Sequence, residues 1–253
     1  MDRFDRLLQA ISILFILFMM TSLIYLYVLV GYSWNLTFEF LFDSRVLGAV
    51  WTSISSASIV SILALCASIP TAYILTYKEF KGKELVETLL IELPQTFPPA
   101  TVGLVYLIML GPGSPVNIAF TYFAVLVAKF YVSAPFALSF TLRRFREIRR
   151  TGLDMIARTL KGRTRHILTW ILLPLSTKDL IAGSTLTWAR AMGEVAATLI
   201  FAGAIPWKTE IIPTLVYLTS KSTPQMAIAA SFIAATLSII ALLSFKLLVG
   251  RKK

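Results

Sequence analysis

The chain has 253 residues, 57% of them hydrophobic and 15% charged, with a mean hydropathy of +0.77 and a formal net charge of +11. A soluble domain of this length has too little interior to hide so much apolar side chain, so a water-soluble globule is excluded and one polytopic membrane domain is expected. A charge of +11 suits nucleic acid in principle, but its placement between apolar runs argues instead for orientation in a bilayer.

A spanning helix needs roughly 20 apolar residues. Residues 7–32 carry no charge and form the clearest span. They are too long for a signal-peptide core and lack a small-residue cleavage site, so a retained signal-anchor helix is expected. The segment after it holds Asn35-Leu-Thr37, a glycosylation sequon of little weight because such tripeptides are common by chance. Residues 47–77 give the second span, and its Cys66 is the chain's only cysteine, so no internal disulfide forms. Residues 85–110 give the third, interrupted by Glu87, Glu92, Pro94, Pro98 and Pro99. Three prolines within six residues break a helix and free its carbonyls. Such backbone is tolerated at membrane depth only inside protein or beside a watery cavity, so a pathway or gate is expected here, with a simple kink as the alternative.

Residues 118–142 give the fourth span, carrying Lys129 and Pro135. Residues 179–202 give the fifth, carrying Arg190 and Glu194, and residues 224–249 the sixth. Lys81-Gly-Lys83 and Gly111-Pro-Gly-Ser-Pro115 read as short turns. Six helices return both termini to one side, and charge selects it. With cytoplasmic termini, eighteen of the 24 Lys and Arg residues face the cytoplasm, three face outside, and three lie in or beside spans.

Between the fourth and fifth spans, residues 143–170 form a basic cytoplasmic connector. Arg143, Arg144, Arg146, Arg149, Arg150, Arg158, Lys161, Arg163 and Arg165 crowd it. A connection so long and charged is expected to touch a cytoplasmic partner. Leu153–Leu160 reads as a short helix presenting Ile156 and Leu160 for burial in a partner groove, with Arg158 and Lys161 available to acidic rims.

No catalytic constellation appears. His166 is the only histidine and sits in the solvated connector, and there is no Gly-x-Ser-x-Gly elbow or metal-ligand cluster. The segment from Gly203 to Thr209 resembles a phosphate loop faintly but lacks the glycine before Lys208, so no ATP chemistry is expected in this chain. Arg190 and Glu194 are four apart and are expected to pair within the membrane. Inserting such charges costs about 2.5–3.5 kcal/mol each, so a functional role competes with a structural ion pair. Lys129 is expected to snorkel, to pair with Glu92, or to attract an anion. Ala189, Gly193 and Ala197, the trio Ser53, Ala57 and Ser61, and the alanines and serines of residues 227–238 read as close helix-packing seams.

Several of these segments together resemble a known family. Glu92-Leu-Pro94, Pro98-Pro-Ala-Thr-Val-Gly103 and Leu107-Ile-Met-Leu-Gly111 are similar to the third-span pattern of oxyanion importers. Ala157-Arg-Thr-Leu160 followed by Leu172-Leu-Pro174 resembles the cytoplasmic loop of ABC importer permeases. Ala189-Arg-Ala-Met-Gly-Glu194 and Ala197-Thr-Leu-Ile-Phe-Ala-Gly203 resemble the fifth span of molybdate, tungstate and sulfate permeases. The family loop reads Glu-Ala-Ala, three residues, then Gly. Here Met155, Ile156, Ala157 and Lys161 stand at those positions, Gly162 comes one place late, and Asp154 offers an acidic charge just before.

The resemblance implies an all-α, six-helix type I (MetI-like) permease fold: a first helix and external loop in residues 1–44, then a five-helix permease core in residues 45–253. It implies a coupling helix formed by Leu153, Asp154, Ile156, Ala157, Arg158, Leu160, Lys161 and Gly162. It further implies a homodimer of this chain in the plasma membrane, two cytoplasmic ATPase subunits that hold the ATP and Mg, an extracytoplasmic oxyanion-binding protein, no cofactor in this chain and no nucleic acid. Thr96, Pro98, Pro99, Thr101, Gly103, Ser184, Thr185 and Thr187 are the candidates for the pathway or gate. The expected cargo is molybdate or tungstate, with sulfate, phosphate or ferric iron as alternatives. A membrane-embedded enzyme using Arg190, Glu194 and Lys129, or a passive channel, are the readings from other classes.

Overall fold

The computed structural model describes residues 3–159 and 161–250. Leu160, assigned above to the coupling helix, lies outside the described residues, as do 1–2 and 251–253. Every regular element among the described residues is helical.

Helix α1 (Arg3–Tyr32) is followed at once by α2 (Trp34–Leu41), where the sequence suggested only a loop, and then by α3 (Ser44–Tyr77). Asp43 caps α3 by accepting the Arg45 and Val46 amides, at 2.8 and 3.3 Å. A rising segment follows: α4 (Lys83–Glu87), a π turn (Thr88–Glu92), and α5 (Leu93–Thr96). Helix α6 (Pro99–Leu110) then leaves at 109° to it. After a loop come α7 (Tyr122–Thr151), α8 (Leu153–Thr159) and α9 (Thr164–Ile167). A second π turn (Leu168–Leu172) leads into α10 (Leu173–Met192), followed by α11 (Ala196–Phe201), α12 (Ile212–Thr219) and α13 (Pro224–Gly250).

Among the described residues, four helices are each long and apolar enough to cross a membrane: α1, α3, α7 and α13. The bent α4–α6 segment supplies a fifth if counted as one span. The remaining segment, the fifth span read from sequence, is α10 with α11, whose Lys178, Asp179 and Arg190 dilute its apolar character. Its expected start at residue 179 is also too late, because the helix already runs from Leu173.

The basic connector is shorter than residues 143–170 suggest. Nothing interrupts α7 until Gly152, whose φ of +75° and bond to the Arg149 carbonyl terminate it, so Arg143 to Arg150 belong to the last two turns of α7. The same helix begins at Tyr122, four residues after the expected start.

The core lies where α3, α7 and α10 pack together. One cluster joins α3, α10, α12 and α13 through Ala57, Val60, Ala191 and Leu215. A second joins α7 to α11 through Ala128, Val132, Ala197 and Phe201. A third, at the basic end, joins α3 and α7 to α9 and its π turn through Leu75, Phe145, Ile167 and Leu172. The serines of α3 are seams, as expected: Ser61 Oγ donates to the Ser184 carbonyl at 2.7 Å, and Ser53 Oγ accepts the Ile212 amide at 2.8 Å. The stripe Ala189, Gly193, Ala197 is not one. Gly193 is exposed and ends α10, so the three residues do not share a continuous helix.

Candidate functional site

Two helices of this bundle are broken, and the breaks have readable causes. A proline inside a helix lacks the N–H that would bond four residues back, and its ring collides with that carbonyl. At Pro94 and Pro174 the chain answers by widening the preceding turn. Leu93 donates five residues back to the Thr88 carbonyl, and Leu173 to that of Leu168, each closing a π turn just before the proline. The same Leu-Pro device thus opens both α5 and α10.

The first break follows at Phe97 and Pro98. Each precedes a proline and is driven out of the helical region, to ψ 129° and ψ 123° respectively. Pro99 then starts α6 at the one position where a missing N–H is harmless. The outcome is a 109° bend rather than a kink.

The second break lies between α10 and α11. Gly193 ends α10, and the Glu194 side chain spans the gap. Its Oε1 accepts the Ala197 amide at 3.0 Å, and its Oε2 pairs with Arg190 Nη1 at 3.1 Å. Glu194 is 2% exposed, while the Arg190 side chain is 34% exposed. The expected ion pair therefore exists, and its carboxylate also caps the helix that follows.

The two helices beyond the breaks pack on each other. A Cβ built on Gly103 of α6 would stand 2.7 Å from the carbonyl oxygen of Ala197 and 2.9 Å from its Cα. Tyr106 and Phe201 stack one turn further on, with ring centroids 5.6 Å apart. Only glycine permits that approach.

Lys129 neither snorkels nor reaches Glu92. It is fully buried, and Nζ donates to Ser56 Oγ of α3 at 2.8 Å. Lys129 is also displaced from the role of anion contact, because no surface of it faces open space.

The pathway candidates divide. Thr96, Pro98 and Thr101 are exposed around the α5–α6 bend, and Gly103 is the buried contact with α11. On α10, Thr185 is partly exposed with its hydroxyl on the Ile181 carbonyl. Thr187 is buried with its hydroxyl on the Gly183 carbonyl, and Ser184 Oγ is buried without a protein partner. The structure thus groups Thr96, Pro98, Pro99 and Thr101 at one bend and places the α10 hydroxyls on a separate wall.

At the basic end, α8 stands out from the bundle. Leu153, Met155 and Ile156 are 43%, 65% and 58% exposed, an apolar face with nothing of this chain upon it. Its other face is tied down. Asp154 is 3% exposed, Ala157 packs on the third core cluster, and Arg158 donates to the Tyr73 hydroxyl at 3.2 Å and lies over the Tyr77 ring. Arg158, expected to be available to acidic rims, is exposed and also makes these contacts within its own chain. The helix ends as a Schellman turn. Lys161 donates to the Arg158 carbonyl at 2.9 Å and Gly162 to that of Ala157 at 2.8 Å. Lys161 occupies the left-handed position with φ +61°, where the family pattern has its glycine. Gly162 compensates, since a Cβ there would lie 2.6 Å from the Ala157 carbonyl oxygen.

The opposite end carries a feature the sequence reading passed over. Arg45 Nε and Nη2 donate to both oxygens of buried Glu210, at 2.8 and 2.7 Å. Trp207 Nε1 donates to the Ser44 carbonyl, and its ring lies on Gly48. The phosphate-loop lookalike is therefore a turn stapled to the start of α3. The signal available in the sequence was a lone acid, Glu210, set between apolar stretches.

No protein-family model matches the chain. It is 31% identical to the molybdate/tungstate transport system permease protein of Thermococcus kodakarensis over 213 residues, 84% of this chain and 82% of that one. Among solved structures it superposes on a bacterial alginate ABC transporter captured with its alginate-bound periplasmic protein, at a TM-score of 0.74 and 15% identity, covering 96% of this chain and 92% of that one. The methionine ABC transporter in an inward-facing form gives a TM-score of 0.67 at 15% identity, over 81% of this chain and 94% of that one.

Proposed function

The chain belongs to the molybdate/tungstate permease family of ABC transport systems, and from that premise we propose that it carries molybdate or tungstate into the cytoplasm as the membrane subunit of an ATP-driven importer. In this reading two copies pair around the pathway. The termini and α8 face the cytoplasm, separate ATPase subunits supply hydrolysis, and a binding protein delivers the anion from outside. Residues 45–253 are the permease core, and 1–44 an added helix and outer segment. The chain has no ATPase role of its own.

The observation that carries the reading is mechanical. Helix α7 runs unbroken from Tyr122 to Thr151, bears α8 directly beyond Gly152, and packs on both α6 and α11. A push on the exposed face of α8 therefore reaches the crossing of the two broken helices through one rigid rod. ATP-driven closure of the ATPase pair tilts that rod. The crossing then opens to one side and closes to the other, because packed helices exchange between discrete arrangements rather than stretch. The freed backbone and hydroxyls at Thr96 and Thr101 offer the anion neutral partners, and the α10 hydroxyls of Ser184 and Thr185 join the path only if the second copy or the rocking motion brings them to it. Neutral donors suit a carrier, since a deep fixed charge would hold the anion and stall its release.

The test is ATP-dependent uptake of tungstate into proteoliposomes holding this chain with its ATPase and binding protein. Uptake competed by molybdate and not by excess sulfate supports the reading. Uptake competed by sulfate assigns sulfate as cargo, and retention of full uptake in a stable Thr101→Val, Thr185→Val variant removes those hydroxyls from the path.

A further inference from the structure

We propose that the cleft between the rising α4–α5 segment and α7 is a binding site for one anionic phospholipid, with its phosphate at Arg143 and Arg150. Two neighbouring cavities follow one stripe of α7 and together make up the cleft. The apolar part, about 740 Å³, is walled by α3 as well as the rising segment and α7, with Ala67, Leu89, Leu90, Phe123, Ala134 and Leu138 among its lining. The charged part, its mouth, is about 500 Å³ and is lined by Glu87, Ser139, Arg143, Arg146, Glu147 and Arg150. Positions 131, 135, 139, 142, 146 and 150 are spaced by three or four, so one face of α7 floors both parts. Along α7 the stretch of the apolar part from Leu126 to Leu138 is about 18 Å at 1.5 Å per residue. That accommodates an acyl chain crossing half of a ~30 Å hydrocarbon core.

The mouth is charged in a way that the protein itself leaves incomplete. Arg146 is spent on Glu87, with Nη1 to Oε1 at 2.8 Å. Glu147 is spent on Arg144 at 3.0 Å. Arg143 has only a 3.8 Å approach to Asp179 and the face of Phe140. Arg150 is exposed and has no ion pair among the described residues. Two cations seven residues apart thus flank the entrance of an apolar groove. A ligand that complements both features has a single negative charge joined to a long hydrocarbon. A zwitterionic lipid offers less net attraction, and a free anion leaves the groove uncovered. The apolar part also reaches Tyr106 of α6, beside the α6–α11 crossing, and the proposal does not rest on the identity of the cargo.

Native mass spectrometry of the full chain, released from mixed micelles of palmitoyl-oleoyl phosphatidylglycerol and the matching phosphatidylcholine, reads the site directly. Preferential retention of one phosphatidylglycerol per chain is expected. At least a tenfold loss of that retention is expected in Arg143→Gln, Arg150→Gln and none in Arg165→Gln, whose side chain lies outside the cleft. Ala134→Trp fills the groove and leaves the arginines in place, so it should also abolish lipid retention. Equal retention of the two lipids, or retention unchanged in the double variant, overturns the proposal. Retention of inorganic phosphate in place of lipid, undiminished by Ala134→Trp, assigns the arginines to a free anion. Spontaneous disulfide cross-linking of Phe123→Cys between chains shows that a second copy covers the groove and overturns the proposal as well.

Discussion

Gly103 of α6 meets the backbone of Ala197 of α11 so closely that any side chain on it would displace one of the two helices. These are the helices that follow the two breaks, so the contact joins the discontinuities into one unit. Gly103→Ala inserts a methyl where the nearest atoms are backbone, which cannot rotate away. Overpacking of this kind costs about 1–3 kcal/mol. The variant should assemble but melt several degrees lower in detergent and lose most of its tungstate uptake. Unchanged melting and uptake would show that α6 and α11 are not in contact during transport.

Glu194 performs two tasks that substitution can separate. Gln keeps an oxygen for the Ala197 amide and loses the pairing with Arg190, whereas Ala loses both. Loss of a cap alone costs about 0.5–2 kcal/mol. Thermal stability should therefore fall in the order wild type, Glu194→Gln, Glu194→Ala. Equal stability of the two variants would leave the capping bond without effect.

Lys129 and Ser56 form a buried pair that a double-mutant cycle resolves. Ser56→Ala strands the ammonium without its acceptor and should cost about 1–3 kcal/mol. Lys129→Met removes the charge at similar volume and should be near neutral or stabilising. The double variant should recover the loss of Ser56→Ala. Additive losses, read from thermal denaturation, would mean the ammonium has another partner.

Much of this arrangement is legible in the sequence. Hydropathy and charge give the spans and the basic end, because lipid leaves the backbone no alternative to helices. The proline cluster at 94–99 signals the first break, and Arg190 and Glu194 signal their own pairing. Other features were hidden. The second break carries no proline, only Gly193 before a capping acid. The Gly103 contact depends on a helix distant in sequence, so α-helical spacing within α10 pointed instead to Gly193. The basic arginines of 143–150 look like loop because they are polar, yet nothing among them stops a helix. The contacts of exposed Arg158 with Tyr73 and Tyr77 join α8 to a helix distant in sequence, which spacing alone does not show.

The end of α8 allows a stabilising change. Lys161 adopts a left-handed conformation that disfavours a side chain by about 1–2 kcal/mol. Lys161→Gly should slow hydrogen exchange across residues 153–162, and Gly162→Ala should accelerate it. Exchange unaltered by either would show that the turn does not hold this geometry in the assembled protein.

The central claim is that the exposed face of α8 drives the α6–α11 crossing through α7. Ile156 lies on that face and touches nothing in its own chain that a polar group would disrupt, so Ile156→Asp tests the claim with the fold intact. The measurement is ATP hydrolysis by the complete transporter in proteoliposomes, with and without the tungstate-loaded binding protein, alongside uptake. The wild type should show tungstate-stimulated hydrolysis with uptake. Ile156→Asp should lose the stimulation and the uptake together while this chain keeps its melting temperature. Stimulated hydrolysis and uptake at wild-type levels in that variant would contradict the account.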